Sequence, residues 1–169
     1  MTRSCAVVSL GSNLGERLAH LAGALDLLAA QARVTVEAVS PVYETDPVGG
    51  PPQEAYLNAV ALLAVDLEPL ALLGALHEVE AARGRVRTRR WGPRTLDLDL
   101  VVQPPYAGRY GALTLPHPRA HQRAFVLRPW LDLDRAATLP GHGRVADLLA
   151  ELPTNGVRRR DDLSLAVPA

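Results

Sequence analysis

The stretch Arg90-Trp91-Gly92-Pro93-Arg94-Thr95-Leu96-Asp97-Leu98-Asp99-Leu100-Val101-Val102 decides how the rest of the chain is read. From Leu96 onward, leucine and aspartate alternate. Successive side chains of a strand point to opposite faces, so Asp97 and Asp99 share one face and the leucines the other. The two aspartate Cα atoms then lie roughly 6.5–7 Å apart. Both carboxylates can reach one divalent cation at that spacing, or two cations a few ångströms apart. Two aspartates on an otherwise apolar strand repel each other and lose hydration unless positive charge compensates. Arg83, Arg85, Arg87, Arg89, Arg90 and Arg94 stand just upstream. An acid pair beside an arginine cluster suits a polyphosphate–Mg2+ complex, because metal screens some phosphate oxygens and guanidinium forks hold others. The plainer alternative is a polar edge-strand face beside a solvated basic loop.

The rest of the composition narrows the chemistry. A chain of 169 residues with 48% apolar and 21% charged side chains is long enough for one globular domain with a proper core. We expect a single domain over 1–169, with a core at about 5–150 and a tail at 153–169. Formal net charge is +0, so any basic site must be local. All 18 basic residues are arginine, which excludes a P-loop lysine and a Schiff-base lysine in this chain. The one cysteine, Cys5, sits in an apolar stretch and reads as core packing, and no internal disulfide can form. No apolar run approaches the ~18–20 residues of a membrane span, and no signal-peptide pattern opens the sequence. A cytoplasmic protein without membrane or nucleic-acid partners is expected, and a monomer.

Taken in order, Cys5 to Leu10 reads as a buried strand. Gly11-Ser12-Asn13 is a turn in which Ser12 or Asn13 caps the next helix. Leu14, Leu18, Leu21, Ala22, Leu25 and Leu28 recur at helical spacing over 15–32. Val34 to Val39, resuming after Pro41 to Glu44, is a second strand. Residues 46–52, rich in Pro and Gly, form an exposed loop. Tyr56 to Val65 is a third strand. Pro69 starts a helix carrying Leu70, Leu73, Leu76, Val79 and Glu80, and Gly84 ends it. A second long loop spans 85–93, and Thr95 to Val102 is the fourth strand. The order β-α-β-β-α-β predicts an α+β, ferredoxin-like split βαβ fold, with two helices on one face of a mainly antiparallel sheet. C-terminal helical additions follow a Pro/Gly-rich link at 104–111 and a short extended piece at 113–115. They cover 119–133 and 145–152. The Arg158-Arg159-Arg160-Asp161-Asp162 run reads as a solvated tail.

Four segments carry chemistry. Gly11-Ser12-Asn13-Leu14 lies at a strand-to-helix turn. Ser40 to Gly49 is followed by Tyr56-Leu57-Asn58-Ala59, where the polar Asn58 needs a partner or a ligand. An Asn amide can pair with the donor/acceptor edge of a flat heterocycle. The third segment is Arg85 to Asp99. The fourth is Leu113 to Pro118, then Arg123 and Phe125, and burial statistics alone would put Phe125 in the core.

In this order and spacing, the four segments resemble the 6-hydroxymethyl-7,8-dihydropterin pyrophosphokinase family, from about Val7 to Leu149. The run Arg-Trp-Gly-Pro-Arg-Thr-Leu-Asp-Leu-Asp is the specific part. The resemblance implies pyrophosphoryl transfer from ATP to the pterin hydroxymethyl group, with release of AMP, in folate biosynthesis. It implies two Mg2+ ions on Asp97 and Asp99. Tyr56 and Phe125 would sandwich the pterin, and Asn58 would bind its edge. Thr45 and Val48 would line the pocket. Arg85, Arg94, His117 and Arg123 would hold the triphosphate. Arg90 and Trp91 would lie in a mobile loop that closes the site, Trp91 against both substrates. Leu100 and Thr114 would border the adenine, and Glu80 would support that wall. The match departs at His77, where Gln is expected. It departs again at Ala112 and His121, where the best-known bacterial form has Arg and Lys.

Two other classes share parts of this pattern. A metal-dependent phosphohydrolase or nuclease could use the same acid pair. A non-catalytic RNA-binding domain could use the same fold, but one Phe, two Trp and four Tyr are a poor stock of base-stacking platforms.

Overall fold

The computed structural model describes residues 3–47, 49–85 and 92–169. Val48, Arg87, Arg89, Arg90 and Trp91, all named above, lie outside the described residues.

The central pair is β1 (Ser4–Ser12) and β4 (Tyr56–Val65), antiparallel from Ser4 opposite Val65 to Ser12 opposite Leu57. β5 (Asp97–Val102) flanks β1 on the other side, with Asp99 opposite Ser9 and Asp97 opposite Gly11. The far edge of β4 pairs with β2 (Val34–Val39) and then with β3 (Tyr43–Thr45), the break falling around Pro41. All these pairings are antiparallel. The strand at 95–102 begins two residues later than expected, at Asp97.

Helices cover both faces. α1 (Arg17–Ala29) and α2 (Pro69–Ala82) bury Leu21, Leu25, Leu28, Leu72, Leu76 and Val79 against Ala6, Val8, Leu10, Leu63, Leu98 and Leu100 of the sheet. α3 (Ala124–Leu133) and α4 (Val145–Ala150) cover the opposite face, where Val126, Leu127, Trp130, Val145 and Leu149 pack on Val7, Val60 and Val101. The C-terminal helices therefore make a third layer. That layer explains why β1 and β4 read as continuous apolar runs rather than alternating ones.

Several local expectations shift. α2 starts at Pro69 as its sequence suggests, and Gly84 adopts φ +79 beyond its end. Its buried stripe is Leu72, Leu76 and Val79, however, while Leu70 is 52% exposed. α1 has Glu16 at its N-cap, without a side-chain cap bond among the described residues, so neither Ser12 nor Asn13 caps it. Cys5 is exposed, not core. It lies where the third layer ends, near Asp134 just past α3, and partial burial with the charges of Glu37 and Asp134 pushes its thiol pKa up. The Pro/Gly link contains β6 (Gly108–Tyr110), which forms a hairpin with β7 (Leu113–Leu115). A second hairpin joins β8 (Thr138–Leu139) to β9 (Gly143–Arg144). Finally, residues 157–159 are not a free tail. They form β10 (Val157–Arg159), an edge strand antiparallel to β3, because Glu44 draws Arg158 and Arg160 to it.

Leu63 is fully buried between β4 and the α1/α2 layer. Leu63→Ala should therefore destabilise the fold by about 2–5 kcal/mol. Chemical denaturation read by circular dichroism checks this, and an unchanged midpoint would contradict the packing described.

Candidate active site

The third layer stops short of one end of the sheet. β1, β4 and β5 continue past α3, and there the face changes character. Val7, Val60 and Val101 lie under α3, whereas Ser9, Gly11, Asn58, Asp97 and Asp99 line an open cavity of about 890 Å3. Phe125, at the start of α3, and Tyr56, at the start of β4, border the same cavity. Phe125 is half-buried, so it forms the cavity wall rather than the core.

Asp97 and Asp99 share one face of β5, as their alternation requires. Arg94 Nη1 donates to Asp97 Oδ2 at 3.0 Å and Arg85 Nη1 to Asp97 Oδ1 at 2.9 Å. Arg123 Nη1 donates to Asp99 Oδ2 at 3.1 Å. Glu80, 3% exposed on α2, accepts from Arg85 and from the Leu98 backbone N–H. Its carboxylate thus holds both the arginine and the start of the acid-bearing strand. Among the described residues, the carboxylates of Glu80, Asp97 and Asp99 pair with the guanidiniums of Arg85, Arg94 and Arg123. Burial, and then the neighbouring Asp97 charge, raise the Asp99 pKa to about 6. Burial likewise raises that of Glu80. A dication beside Asp99 would offset the burial and the neighbouring charge that disfavour its ionised form. Among the described residues no three His, Cys, Asp or Glu side chains converge as an all-protein metal cage. Magnesium would therefore find two protein carboxylates here and take its remaining ligands from phosphate and water.

The opposite end of the cavity suits a flat polar ring. Thr45 Oγ1 donates to Asn58 Oδ1, and among the described residues Asn58 Nδ2 reaches only the Leu10 carbonyl, at 3.4 Å. One amide proton of Asn58 remains for a ligand. Gly11 lies beneath: a Cβ there would meet Asn58 Nδ2 at 2.8 Å and Tyr56 Cδ1 at 3.4 Å. Gly11, read in the sequence as a turn, is thus a strand residue whose missing side chain makes room for two cavity residues.

Asn13 is the residue whose role sequence reasoning missed. It is 2% exposed. Its Nδ2 donates to Gln53 Oε1 at 2.8 Å and to the Glu54 carbonyl at 3.0 Å, and its Oδ1 accepts from the Arg94 N–H at 2.9 Å. Asn13 ties the end of the 46–54 loop to Arg94. A buried Asn after an apolar strand was the available signal, and its helix-cap reading hid it.

The remaining named residues are more dispersed. His117 is half-buried and couples electrostatically to Arg123 and Asp97. Burial, helped by Arg123, lowers its pKa to about 4. Its Nδ1 accepts from the Arg119 N–H, so Nε2 carries the proton. Leu100 is 2% exposed and belongs to the α1/α2 core, so only its main chain can border a ligand. Thr114 is exposed on β7, opposite Arg109. His121 stacks on His142 at 4.1 Å. Arg83 leaves the cluster altogether and donates to His20 Nδ1 and the Ala19 carbonyl on α1.

An antiparallel sheet between helical layers, with a paired acid strand and arginines beside an open cavity, is the class of site that suits a nucleotide–metal complex next to a second small molecule. Known proteins agree. Residues 7–135 match the family model described as 7,8-dihydro-6-hydroxymethylpterin-pyrophosphokinase. A protein of Pseudomonas aeruginosa, named 2-amino-4-hydroxy-6-hydroxymethyldihydropteridine pyrophosphokinase, is 42% identical over 152 residues, which is 90% of this chain and 94% of that one. One of the same name from Mycobacterium leprae is 49% identical over 175 residues, covering 94% and 88%. Among solved structures, a Plasmodium falciparum HPPK-DHPS crystallised with pterin and p-hydroxybenzoate superposes with TM-score 0.69 at 13% identity. That likeness covers 89% of this chain and 44% of the other, so the chain spans less than half of that longer protein. The chain belongs to the 7,8-dihydro-6-hydroxymethylpterin pyrophosphokinase family.

His117 fixes the sign of one pH effect. Its folded pKa of about 4 lies below the ordinary histidine value of 6.5, so the unfolded chain binds more protons between those values. Stability from this group falls as pH drops from 6.5 toward 4. His117→Gln should lose less stability than the parent across that window, measured by denaturation at several pH values.

Proposed function

We propose that this chain transfers the pyrophosphoryl group of ATP to the hydroxymethyl oxygen of 6-hydroxymethyl-7,8-dihydropterin, releasing AMP, as a step of folate biosynthesis. The observation that carries the reading is geometric. Asp97 and Asp99, clamped by Arg85, Arg94 and Arg123, line the same cavity as Asn58, Tyr56 and Phe125. The strand order, with β5 beside β1, β1 beside β4, and β2 with β3 beyond, supports a ferredoxin-like split βαβ frame carrying the added C-terminal layer. The whole of 1–169 acts as one domain, as a cytoplasmic monomer that binds small molecules and not nucleic acid. Among the described residues no helix is long and apolar enough to cross a membrane.

Tyr56 and Phe125 take the two faces of the pterin, and Asn58, oriented by Thr45, reads its edge. Val48 adds a main-chain contact. Asp97 and Asp99 would hold the Mg2+, two ions on this reading, and bound metal would supply charge against the triphosphate and make the substrate hydroxyl more acidic. Arg85, Arg94 and Arg123 each trade a carboxylate for a phosphate oxygen when the nucleotide arrives, so the cluster stays charge-balanced throughout. Glu80 keeps Arg85 aimed at the site during that exchange. His117, neutral at pH 7, offers an Nε2–H donor to the phosphates without adding charge. Arg90 and Trp91 complete the site from the 84–93 loop, and Leu100 and Thr114 border the adenine. The hydroxyl oxygen then attacks the β-phosphorus in line and AMP leaves. Catalysis is positioning and charge neutralisation more than covalent chemistry.

Chromatography of nucleotide products tests the reading directly. AMP should form only when hydroxymethyldihydropterin is present. ADP formed without pterin, or cleaved nucleic acid, would place the chain among hydrolases instead. Asp97→Asn and Asp99→Asn should each nearly abolish turnover while leaving the circular dichroism spectrum unchanged. Arg85→Ala or Arg94→Ala should raise the barrier by about 3 kcal/mol, seen mainly in kcat.

A further inference from the structure

Residues 136–169 lie beyond the stretch that the family model matches, yet part of this segment reaches the cavity. Leu152, Pro153, Asn155, Gly156 and Val157 line it on the side of Thr45 and Asn58. β10 then runs along β3, with Val157 opposite Thr45 and Arg158 opposite Glu44. Two backbone bonds fasten the ends of this pairing. The Asp46 N–H donates to the Gly156 carbonyl at 3.0 Å, and the Arg160 N–H to the Val42 carbonyl at 2.8 Å. Asp46 opens the loop that borders the cavity, so its backbone is held directly by the C-terminal strand. The approach is close: a Cβ on Gly156 would stand 3.2 Å from Asp46 Oδ2.

Side chains reinforce the same junction. Glu44 accepts from Arg160 at 2.8 Å and Arg158 at 3.4 Å, and Arg158 also donates to Asp46 at 3.1 Å. From the other side Arg17 of α1 reaches Glu44 at 3.5 Å, and it donates to the Ala55 carbonyl at 2.9 Å. Glu44 is therefore where the C-terminal strand meets the arginine that holds the far end of the 46–55 segment. Without β10, β3 would be a three-residue edge strand ending at Thr45, just before a Pro/Gly loop. Thr45 is the residue whose hydroxyl sets the Asn58 amide.

We infer that the C-terminal strand β10, through Arg158 and Arg160 on Glu44 and Asp46, is a positioning element for the heterocycle end of the cavity. It fixes Thr45 and thereby the amide face that Asn58 presents, and it contributes the wall from Leu152 to Val157. This rests on the pterin reading of that cavity. Its effect is confined to one substrate, because the arginines that face Asp97 and Asp99 make no contact with β10 among the interactions described.

The test uses the full chain. Arg158→Ala/Arg160→Ala and Glu44→Gln are compared with Arg159→Ala, whose guanidinium pairs with Asp161 and not with Glu44 or Asp46. Calorimetry measures hydroxymethylpterin with a non-hydrolysable ATP analogue, then the analogue alone, both with Mg2+. The first two variants should weaken pterin binding about five- to tenfold, the scale of one ordinary hydrogen bond's net contribution. Nucleotide affinity, and kcat at saturating pterin, should hold. Arg159→Ala should match the parent, and Arg158→Lys/Arg160→Lys should recover most of the loss. Unchanged pterin affinity in both Glu44→Gln and the double variant would overturn the inference, as would an equal loss for both ligands, which a merely stabilising strand would give. A parent chain that binds no pterin would instead remove the functional reading on which this one stands.

Discussion

Two aspartates two residues apart on a half-covered sheet are tolerable only with positive charge against them. Asp97 has a guanidinium on each carboxylate oxygen, and Asp99 has one. Those three arginines come from three places: the end of α2, the loop before β5, and the turn before α3. The compensation therefore exists only when those segments converge. Buried Glu80 secures the convergence by binding Arg85 and the Leu98 N–H together. Breaking one partner of such a buried set leaves an uncompensated charge, which costs far more than the intact pairing contributes. The same balance leaves the cluster ready for a metal–triphosphate complex, since each arginine can exchange one oxyanion for another without a net change in charge.

The cavity is a consequence of layering. α3 and α4 cover Val7, Val60 and Val101 but do not extend over the neighbouring positions on the same strand faces. One strand face thus passes from apolar to polar within two residues: Val60 to Asn58 on β4, Val101 to Asp99 on β5, Val7 to Ser9 on β1. Phe125 marks the boundary. Its half-burial reflects a ring with packing behind it and open space in front. Gly11 makes the sheet thin enough there for Asn58 and Tyr56 to lie against it.

Connections between loops matter as much as the loops. Asn13 uses its whole amide to join the 46–54 segment to Arg94. Glu44 joins the C-terminal strand to Arg17 of α1. The Asn58 end and the Asp97 end of the cavity are thereby both tied to the segment from Asn13 to Arg17, between β1 and the first turn of α1. Each also has its own outside support, from β10 on one side and Glu80 on the other.

The acid pair was legible from alternation alone, because a strand has a period of two and the chain writes Asp-Leu-Asp-Leu. The strand and helix order was legible for the same reason: apolar periodicity is local. Pro69 and Gly84 bounded a helix through backbone chemistry that any sequence shows. Partners were not legible. Arg83 and Arg85 are two residues apart in one basic run, yet one goes to His20 on α1 and the other to Asp97, because the helix end turns them apart. Cys5 and Val7 alternate on one strand face, and only the reach of α3 decides that Val7 is buried and Cys5 exposed. The charge run at 158–162 looks solvated until Glu44 is found across from it. The sequence by itself determined the central strands and the helices that flank them, and which residues carry charge, since these depend on near neighbours. The tertiary structure alone decided which charges meet, which polar groups face a cavity, and that the chain's last strand pairs with β3 and borders that cavity. Those depend on contacts between segments far apart in the chain, which no local period records.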